Sequence, residues 1–282
     1  MEAFARSTRT FVRAPSAVVR YGAPAPAARE QSSLQIATLG ATRILRDREE
    51  IGGPWLEQRA GQLFKLLLAR RGAVVRVDEI IEDLWPEAGL QALPCVRVTV
   101  HALREVLDPR RCPRGVGSFV VSHRGGYRLD ADRVVVDVDR FDDLVELGLR
   151  AAAGGEVDAA AAYLEEAMNL YEGPYLVEDL YADWTIAERE RLQGLAAQAL
   201  EELAELAERD GDLPSAARWL DRLAVLEPYD ERLQRRLLTL CLRRGRRSEA
   251  MRRYAVLTAR LRRDLGEEPS FGLATLLAEL RA

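Results

Sequence analysis

Three segments in the second half of the chain share one pattern, in which a glycine is followed five positions later by an alanine. The three copies are Gly155 with Ala160, Gly211 with Ala216, and Gly245 with Ala250. The last two copies are 34 residues apart, which is the tetratricopeptide period. Glycine can turn the chain between two helices, and alanine lets paired helices approach closely. The pattern predicts stacked helix pairs with an insertion around residues 173–194; the alternative is three unrelated amphipathic helix pairs.

Apolar residues at helical spacing predict that the chain is entirely helical after residue 138. Asp139, with Asp142 three residues further on, is expected to cap the first of these helices. The predicted helices cover residues 139–153, 156–171, 183–209, 212–226, 230–244, 247–264 and 268–281.

The first half has a different pattern, in which a small meander of short strands between residues 34 and 51 precedes three helices. Gly72 is expected to end the first helix and Asp78 to cap the second. A basic, glycine-rich turn then separates two short strands, which is typical of a β-hairpin. The predicted helices cover residues 56–71, 79–85 and 94–107, and the hairpin strands cover 118–122 and 127–129.

The sequence therefore predicts a mainly α protein, a winged helix-turn-helix with small β elements followed by an all-α tetratricopeptide-like helical bundle. A chain of 282 residues is long enough for two domains, which we place at 34–135 and 136–282. Residues 1–33 are rich in arginine, alanine and proline, and we expect a disordered arm there. The alternative for this arm is a segment that follows DNA phosphates or a minor groove.

Composition excludes several other classes of protein. No apolar run approaches the roughly 18 residues that span a bilayer, and no signal-peptide core is present, so we expect a cytoplasmic protein with no membrane partner. Three cysteines without a CxxC pair and only two histidines predict neither a disulfide framework nor a metal site. Because phosphate-binding loops and nucleophile or zinc motifs are missing, we expect no enzymatic activity and no cofactor.

Charge is divided unevenly between the two halves. Residues 1–135 carry 21 basic and 15 acidic side chains, a net charge of +6, whereas residues 136–282 have a net charge of −10. A basic half that contains a helix-turn-helix pattern indicates nucleic-acid binding. The acidic half is expected to be repelled by phosphates and to contact a protein partner instead.

The third helix and the hairpin contain the candidate DNA-binding residues. If Val96, Val100, Leu103 and Leu107 face the core, an adjacent stripe of the helix faces outward and can enter a major groove. We expect Arg124 at the hairpin tip to enter a minor groove or clamp its phosphates, with Tyr127 in the core. The candidate residues are Arg97, Thr99, His101 and Arg104 on the helix, and His123, Arg124 and Arg128 on the hairpin.

Several short motifs resemble those of a known family of regulators. The first set resembles the OmpR-type winged helix, and the second resembles the bacterial transcriptional activator domain. The first set comprises Leu84 and Trp85, residues 100–104 with Leu107, and residues 126–129; the second comprises residues 136–141, 171–174, 184–192, 245–250 and 265–269. In this order the motifs are similar to those of the Streptomyces antibiotic regulatory protein family.

That resemblance implies a transcriptional activator that binds double-stranded promoter DNA, often at direct repeats, beside a biosynthetic gene cluster. Its implied partners are RNA polymerase holoenzyme and a second copy of the chain on tandem sites. The chain has His101 and Ala102 where the family usually has serine and arginine, so the base preference does not carry over. The alternative function is an adaptor or ligand-sensing protein in which the repeat half acts and the winged helix contacts protein.

Overall fold

The computed structural model describes residues 33–109 and 118–279. The first half contains a four-stranded sheet, three helices and a three-stranded sheet, in agreement with the predicted winged helix-turn-helix. The strands are β1 (Leu34–Ala37), β2 (Arg43–Arg46), β3 (Glu49–Glu50), β4 (Val75–Arg76), β5 (Val120–His123), β6 (Gly126–Leu129) and β7 (Val134–Val136). The first sheet has the order β3-β2-β1-β7, and the second has the order β4-β6-β5.

The three helices of this half are α1 (Arg59–Ala69), α2 (Val77–Leu84) and α3 (Leu93–Leu107). Their apolar faces meet in one core, in which Phe64 of α1 and Leu103 of α3 are fully buried. Burial of each such side chain stabilises the fold by about 1.5–3 kcal/mol. The chain turns left-handed after α1 as predicted, but the helix ends at Ala69, so Arg71, with a φ of +45°, precedes Gly72, with a φ of +79°, in this turn.

Strand β7 joins the two halves of the chain. It follows the hairpin in the chain and pairs in parallel with β1, with Ile36 opposite Val136. It thereby adds the fourth strand to the first sheet. The boundary that we predicted between residues 135 and 136 falls inside this strand. Helix α4 begins directly after it, so the sheet fixes the start of the helical half.

Two predicted helix caps are wrong. Helix α2 begins at Val77, and Asp78 lies inside its first turn, where its carboxylate accepts hydrogen bonds from Arg76. Helix α4 begins at Asp137 instead of Asp139. In both cases the helix directly follows a short strand. The last strand residue, Arg76 or Val136, occupies the N-cap position and makes no capping hydrogen bond with its side chain.

The second half is helical, as predicted, and the last helix is shorter than expected. Pro269 and Gly272 precede it, and its described part begins only at Leu273. The helices are α4 (Asp137–Ala153), α5 (Val157–Leu170), α6 (Asp183–Arg209), α7 (Leu213–Leu226), α8 (Glu231–Arg243), α9 (Arg247–Asp264) and α10 (Leu273–Glu279). In the part of the chain that the structure describes, no helix combines the length and the apolar character that a bilayer crossing requires.

The repeated glycine and alanine have the roles that their spacing predicts. The three glycines have φ values of +78°, +76° and +73° and turn the chain between α4 and α5, α6 and α7, and α8 and α9. The three alanines, at positions 160, 216 and 250, are each 0% exposed. Small side chains are needed there because the paired helices pack closely.

The insertion between α5 and α6 contacts the first half of the chain. Tyr175 forms a β-bridge with Leu39, and the amide of Leu176 donates to the carbonyl oxygen of Thr38 at 2.9 Å. Trp184 at the start of α6 packs against the cores of both halves. The insertion therefore fastens the helical bundle to the winged helix.

Polar contacts add to this attachment. Asp137 accepts hydrogen bonds from the amide of Thr38 at 2.7 Å and from the amide of Leu39 at 2.9 Å. Glu178 accepts one from the amide of Thr42 at 2.7 Å and one from its hydroxyl at 2.8 Å. Lys65, the only lysine of the chain, extends from α1 into the interface and forms a buried ion pair with Asp179.

Candidate DNA-binding surface

Helix α3 presents one exposed stripe that runs along the side opposite its buried residues. The members recur at intervals of three and four positions, as one face of a helix requires. They are Pro94, Arg97, Val98, His101, Ala102 and Glu105. Val98 is 68% exposed, which is unusual for valine in a folded domain.

The chemistry of this stripe suits the edges of base pairs in a major groove. An arginine can pair with the O6 and N7 atoms of guanine, and small apolar side chains can contact the methyl group of thymine. Arg97 is exposed and forms no hydrogen bond or ion pair with any residue in the described ranges 33–109 and 118–279. Its guanidinium is therefore available to an external acceptor.

The structure corrects the prediction for Thr99. Its side chain is 9% exposed and lies on the core side of α3, next to Val100. Successive positions on a helix are rotated by about 100°, so including one neighbouring position in the predicted stripe brought in a side chain that faces the core. Thr99 is therefore not part of the exposed stripe of α3.

Arg104 also differs from its predicted role. Its Nε and Nη2 atoms donate to the carbonyl oxygen of Val120 at 3.1 and 2.8 Å, and Nη2 also donates to the Ser122 hydroxyl at 2.8 Å. Both acceptors belong to β5, the first strand of the hairpin. Arg104 is half-buried and links α3 to the wing, so it positions the surface rather than extending into a groove.

The wing is the hairpin formed by β5 and β6. Its tip is the pair Arg124 and Gly125, and Gly125 has a φ of +78°, a value that favours glycine. A Cβ atom on Gly126 would lie 2.2 Å from the carbonyl oxygen of Val75, so β4 and β6 can pair only with glycine there. The amide of Val77 donates to the carbonyl oxygen of Gly125 at 2.9 Å and holds the tip against the start of α2.

The predicted wing residues fall in two different environments. His123 and Arg124 are exposed at the tip. Arg128 is half-buried on β6, and its Nη1 atom donates to the carbonyl oxygen of Leu129 at 3.2 Å. Tyr127 packs partly buried against the core of this half, as predicted. The tip thus contributes the side chains of His123 and Arg124 to the exposed surface, whereas Arg128 is half-buried on β6.

Two further residues fix the geometry and were not predicted to do so. The carboxylate of Asp108, just after α3, accepts hydrogen bonds from the Ser118 hydroxyl at 2.8 Å and from the Phe119 amide at 2.9 Å. Arg46 of β2 donates to the carbonyl oxygens of Val106 and Leu107 at 3.2 and 3.1 Å. Both contacts hold the C-terminal end of α3, and the cationic Arg46 is also favourable there for the helix dipole. The sequence signal for Asp108 was the Asp-Pro pair that ends the helix, and Arg46 is one of two arginines in β2.

Several further basic residues of this half lie outside the described residues. These are Arg110, Arg111 and Arg114 of the loop before the hairpin, and the predicted arm up to residue 32.

Two family models match the chain. The model of the bacterial transcriptional activator domain matches residues 136–281, which are just over half of the chain. The model described as the C-terminal part of transcriptional regulatory proteins matches residues 53–129, which include α1 to α3 and the wing.

Curated relatives align with most of the chain. AfsR of Streptomyces coelicolor is 34% identical over 256 residues, which are 89% of this chain and 24% of AfsR. The chain thus spans about a quarter of the length of that relative. DnrI of Streptomyces peucetius is 32% identical over 225 residues, which are 76% of this chain and 80% of DnrI.

A solved structure has a similar fold. Mycobacterium tuberculosis EmbR, solved in complex with a low-affinity phosphopeptide, has a TM-score of 0.65 and is 25% identical. The match covers 89% of this chain and 65% of that chain.

A winged helix joined to an activator domain defines a transcriptional regulator, and the relatives are regulators rather than enzymes. The chain belongs to the Streptomyces antibiotic regulatory protein family.

Proposed function

We propose that this regulator is a sequence-specific activator that inserts α3 into the major groove of promoter DNA in the cytoplasm. In this arrangement Arg97 and His101 contact base edges, and Val98 and Ala102 provide the apolar contacts. The observation that carries the proposal is the exposed stripe of α3, in which Arg97 has no partner among the described residues.

The wing supplies contacts that do not depend on sequence. Arg124 at its tip reaches a neighbouring minor groove or its phosphates, and His123 lies next to it on the same exposed surface. Phosphate contacts fix the register and orientation of a protein on DNA but carry no direct base information. The net charge of +6 on residues 1–135 supports this half as the part that meets the DNA.

The test is a comparison of two arginine variants of the full chain. Arg97→Ala should weaken binding to a DNA fragment selected by the wild-type protein by about 5-fold to 150-fold, because one bidentate arginine–guanine pair contributes about 1–3 kcal/mol. Arg150→Ala is the matched control, since Arg150 is an exposed arginine of α4 whose one ion pair within residues 33–109 and 118–279 is with Glu146. Fluorescence anisotropy measures both affinities, and equal affinities for Arg97→Ala and wild type would refute the proposal.

We further propose that two copies bind direct repeats and together recruit RNA polymerase. The family membership supports this arrangement, and direct repeats require the same orientation of both copies. Insertion of about half a helical turn, roughly 5 base pairs, between the repeats should abolish cooperative binding because the second copy moves to the other face of the DNA. Transcription with purified polymerase should fall in parallel; activation that is unaffected by the insertion would contradict the tandem arrangement.

A further inference from the structure

The negative charge of the helical half is not evenly distributed. Residues 232–263, which form most of α8 and α9, contain 12 arginines and a single acidic residue, Glu249. Their net charge is +11, so the remainder of residues 136–282 has a net charge of −21. The simple expectation that this half repels anions therefore does not hold for its last large helix pair.

Part of this positive charge is neutralised locally. Arg253 donates to Asp221 and Glu249, and Arg236 donates to Glu208. Arg262 and Arg263 pair with Glu268 and Asp264. In contrast, four exposed arginines form no ion pair with any acid in the described ranges 33–109 and 118–279. These four are Arg232, Arg243, Arg247 and Arg252.

One of these arginines borders a groove with an apolar floor. The groove has a volume of about 460 Å³ and lies between α7 and α9, beside the start of α8. Its apolar residues include Val225 of α7, which is 78% exposed, and Val256 of α9, which is 58% exposed. Arg252 and Arg260 lie on the α9 side of the same groove.

The two exposed valines line the same groove as the arginines, and a partner that covers them gains from the burial of their apolar surface. Nucleic acid would satisfy the arginines but leave the valines uncovered. The N-terminal segment of the same chain is also a poor occupant, because residues 1–32 contain five arginines and only two acids. An occupant must offer negative charge and an apolar stripe together.

We propose that the groove between α7 and α9 binds an acidic amphipathic helix of a partner protein. Such a helix places apolar residues at positions i, i+3, i+4 and i+7 on Val225 and Val256. Its acidic residues then lie beside Arg252 and Arg260. The single acid lining the groove, Asp221, is already paired with Arg253 at 3.0 Å, so it does not repel the partner.

The test uses designed peptides and the full-length protein. The first peptide is a fluorescent helix of about 18 residues with leucines at helical spacing and glutamates on the polar face. A second peptide replaces the glutamates by lysines, and a third keeps the composition of the first but places the leucines out of register. Fluorescence anisotropy should give at least about 10-fold tighter binding for the first peptide than for the other two.

Variants on one helix distinguish the groove from its surroundings. Val256→Glu should weaken binding of the first peptide at least about 10-fold, and Arg252→Ala should weaken it about 3-fold or more. Met251→Glu and Arg247→Ala are matched controls, because these exposed residues of α9 do not line the groove. All four variants should bind the selected DNA fragment like the wild type, which shows that they are folded.

Four results would overturn the proposal. The first is the absence of peptide binding, and the second is equal weakening in the control variants. The third is a loss of affinity for random-sequence duplex DNA in Arg252→Ala but not in Arg247→Ala, which would make the groove a phosphate-binding surface. The fourth is a concentration-dependent dimer in sedimentation velocity that Val256→Glu abolishes, which would make a second copy of the chain the occupant.

Discussion

The buried ion pair between Lys65 and Asp179 offers a direct test of how the two halves are joined. The Lys65 side chain is 2% exposed and the Asp179 side chain is 9% exposed. Asp179→Asn removes the negative partner and leaves the buried ammonium group without its ion pair. Breaking such a pair from one side costs about 3–5 kcal/mol. For 282 residues the entropy of unfolding is about 0.6 kcal/mol per kelvin, so that free energy corresponds to a decrease in Tm of about 5 to 8 °C.

The double variant Lys65→Met/Asp179→Leu should recover most of this loss. Replacing a buried pair by apolar residues of similar volume is often neutral or stabilising, because neither charge then has to be desolvated. The exposed pair Arg140 and Glu166, whose nitrogen and oxygen are 2.9 Å apart, is the matched control. Removal of Arg140 should cost less than about 1 kcal/mol, since solvent screens the pair.

Thermal and urea unfolding followed by circular dichroism measure these differences. The reasoning is refuted if Asp179→Asn costs no more than Arg140→Ala. It is equally refuted if the cost in the double variant equals the sum of the costs of Lys65→Met alone and Asp179→Leu alone, because the two side chains would then act independently.

Three further predictions concern the wing, its support and the interface. Arg104→Ala should weaken binding to all DNA sequences without changing base preference, and a changed preference in binding selection would make Arg104 a base reader. Arg124→Ala should lower the slope of log affinity against log salt by about one, whereas an unchanged slope would exclude a phosphate contact. Burial opposes ionisation of Glu178, but hydrogen bonds from Thr42 hold its pKa below the usual value of 4.5. The free energy of unfolding should therefore fall as the pH drops below about 4.5, and the fall should be shallower in Glu178→Gln; equal slopes in urea unfolding would contradict this.

Local patterns in the sequence predicted the elements but not the contacts between them. The three helices and hairpin of the winged helix, and the turns at Gly155, Gly211 and Gly245, follow from periodicity and from residues that permit positive φ. These signals are local, because they depend on residues within one or two helical turns. That is why the fold class could be derived from the sequence.

The roles of Thr99 and Arg104 could not be derived in the same way. One helical position separates an exposed from a buried side chain, so a small error in the orientation of α3 moved Thr99 into the predicted stripe. Arg104 acts through an acceptor 16 residues away on β5, and Lys65 acts through one on the insertion. No short-range pattern contains these partners, since they meet only when the hairpin and the insertion dock.

The most direct test of the account is a base-by-base affinity profile of the wild-type protein and Arg97→Ala. Each base pair of a selected operator is substituted in turn, and fluorescence anisotropy gives the affinity for every substituted fragment. If α3 reads the major groove, Arg97→Ala should lose discrimination by about 1–3 kcal/mol at one G·C position of each repeat and keep the rest of the profile. A profile identical to that of the wild type, or a uniform decrease at every position, would contradict the claim that this stripe of α3 reads the sequence.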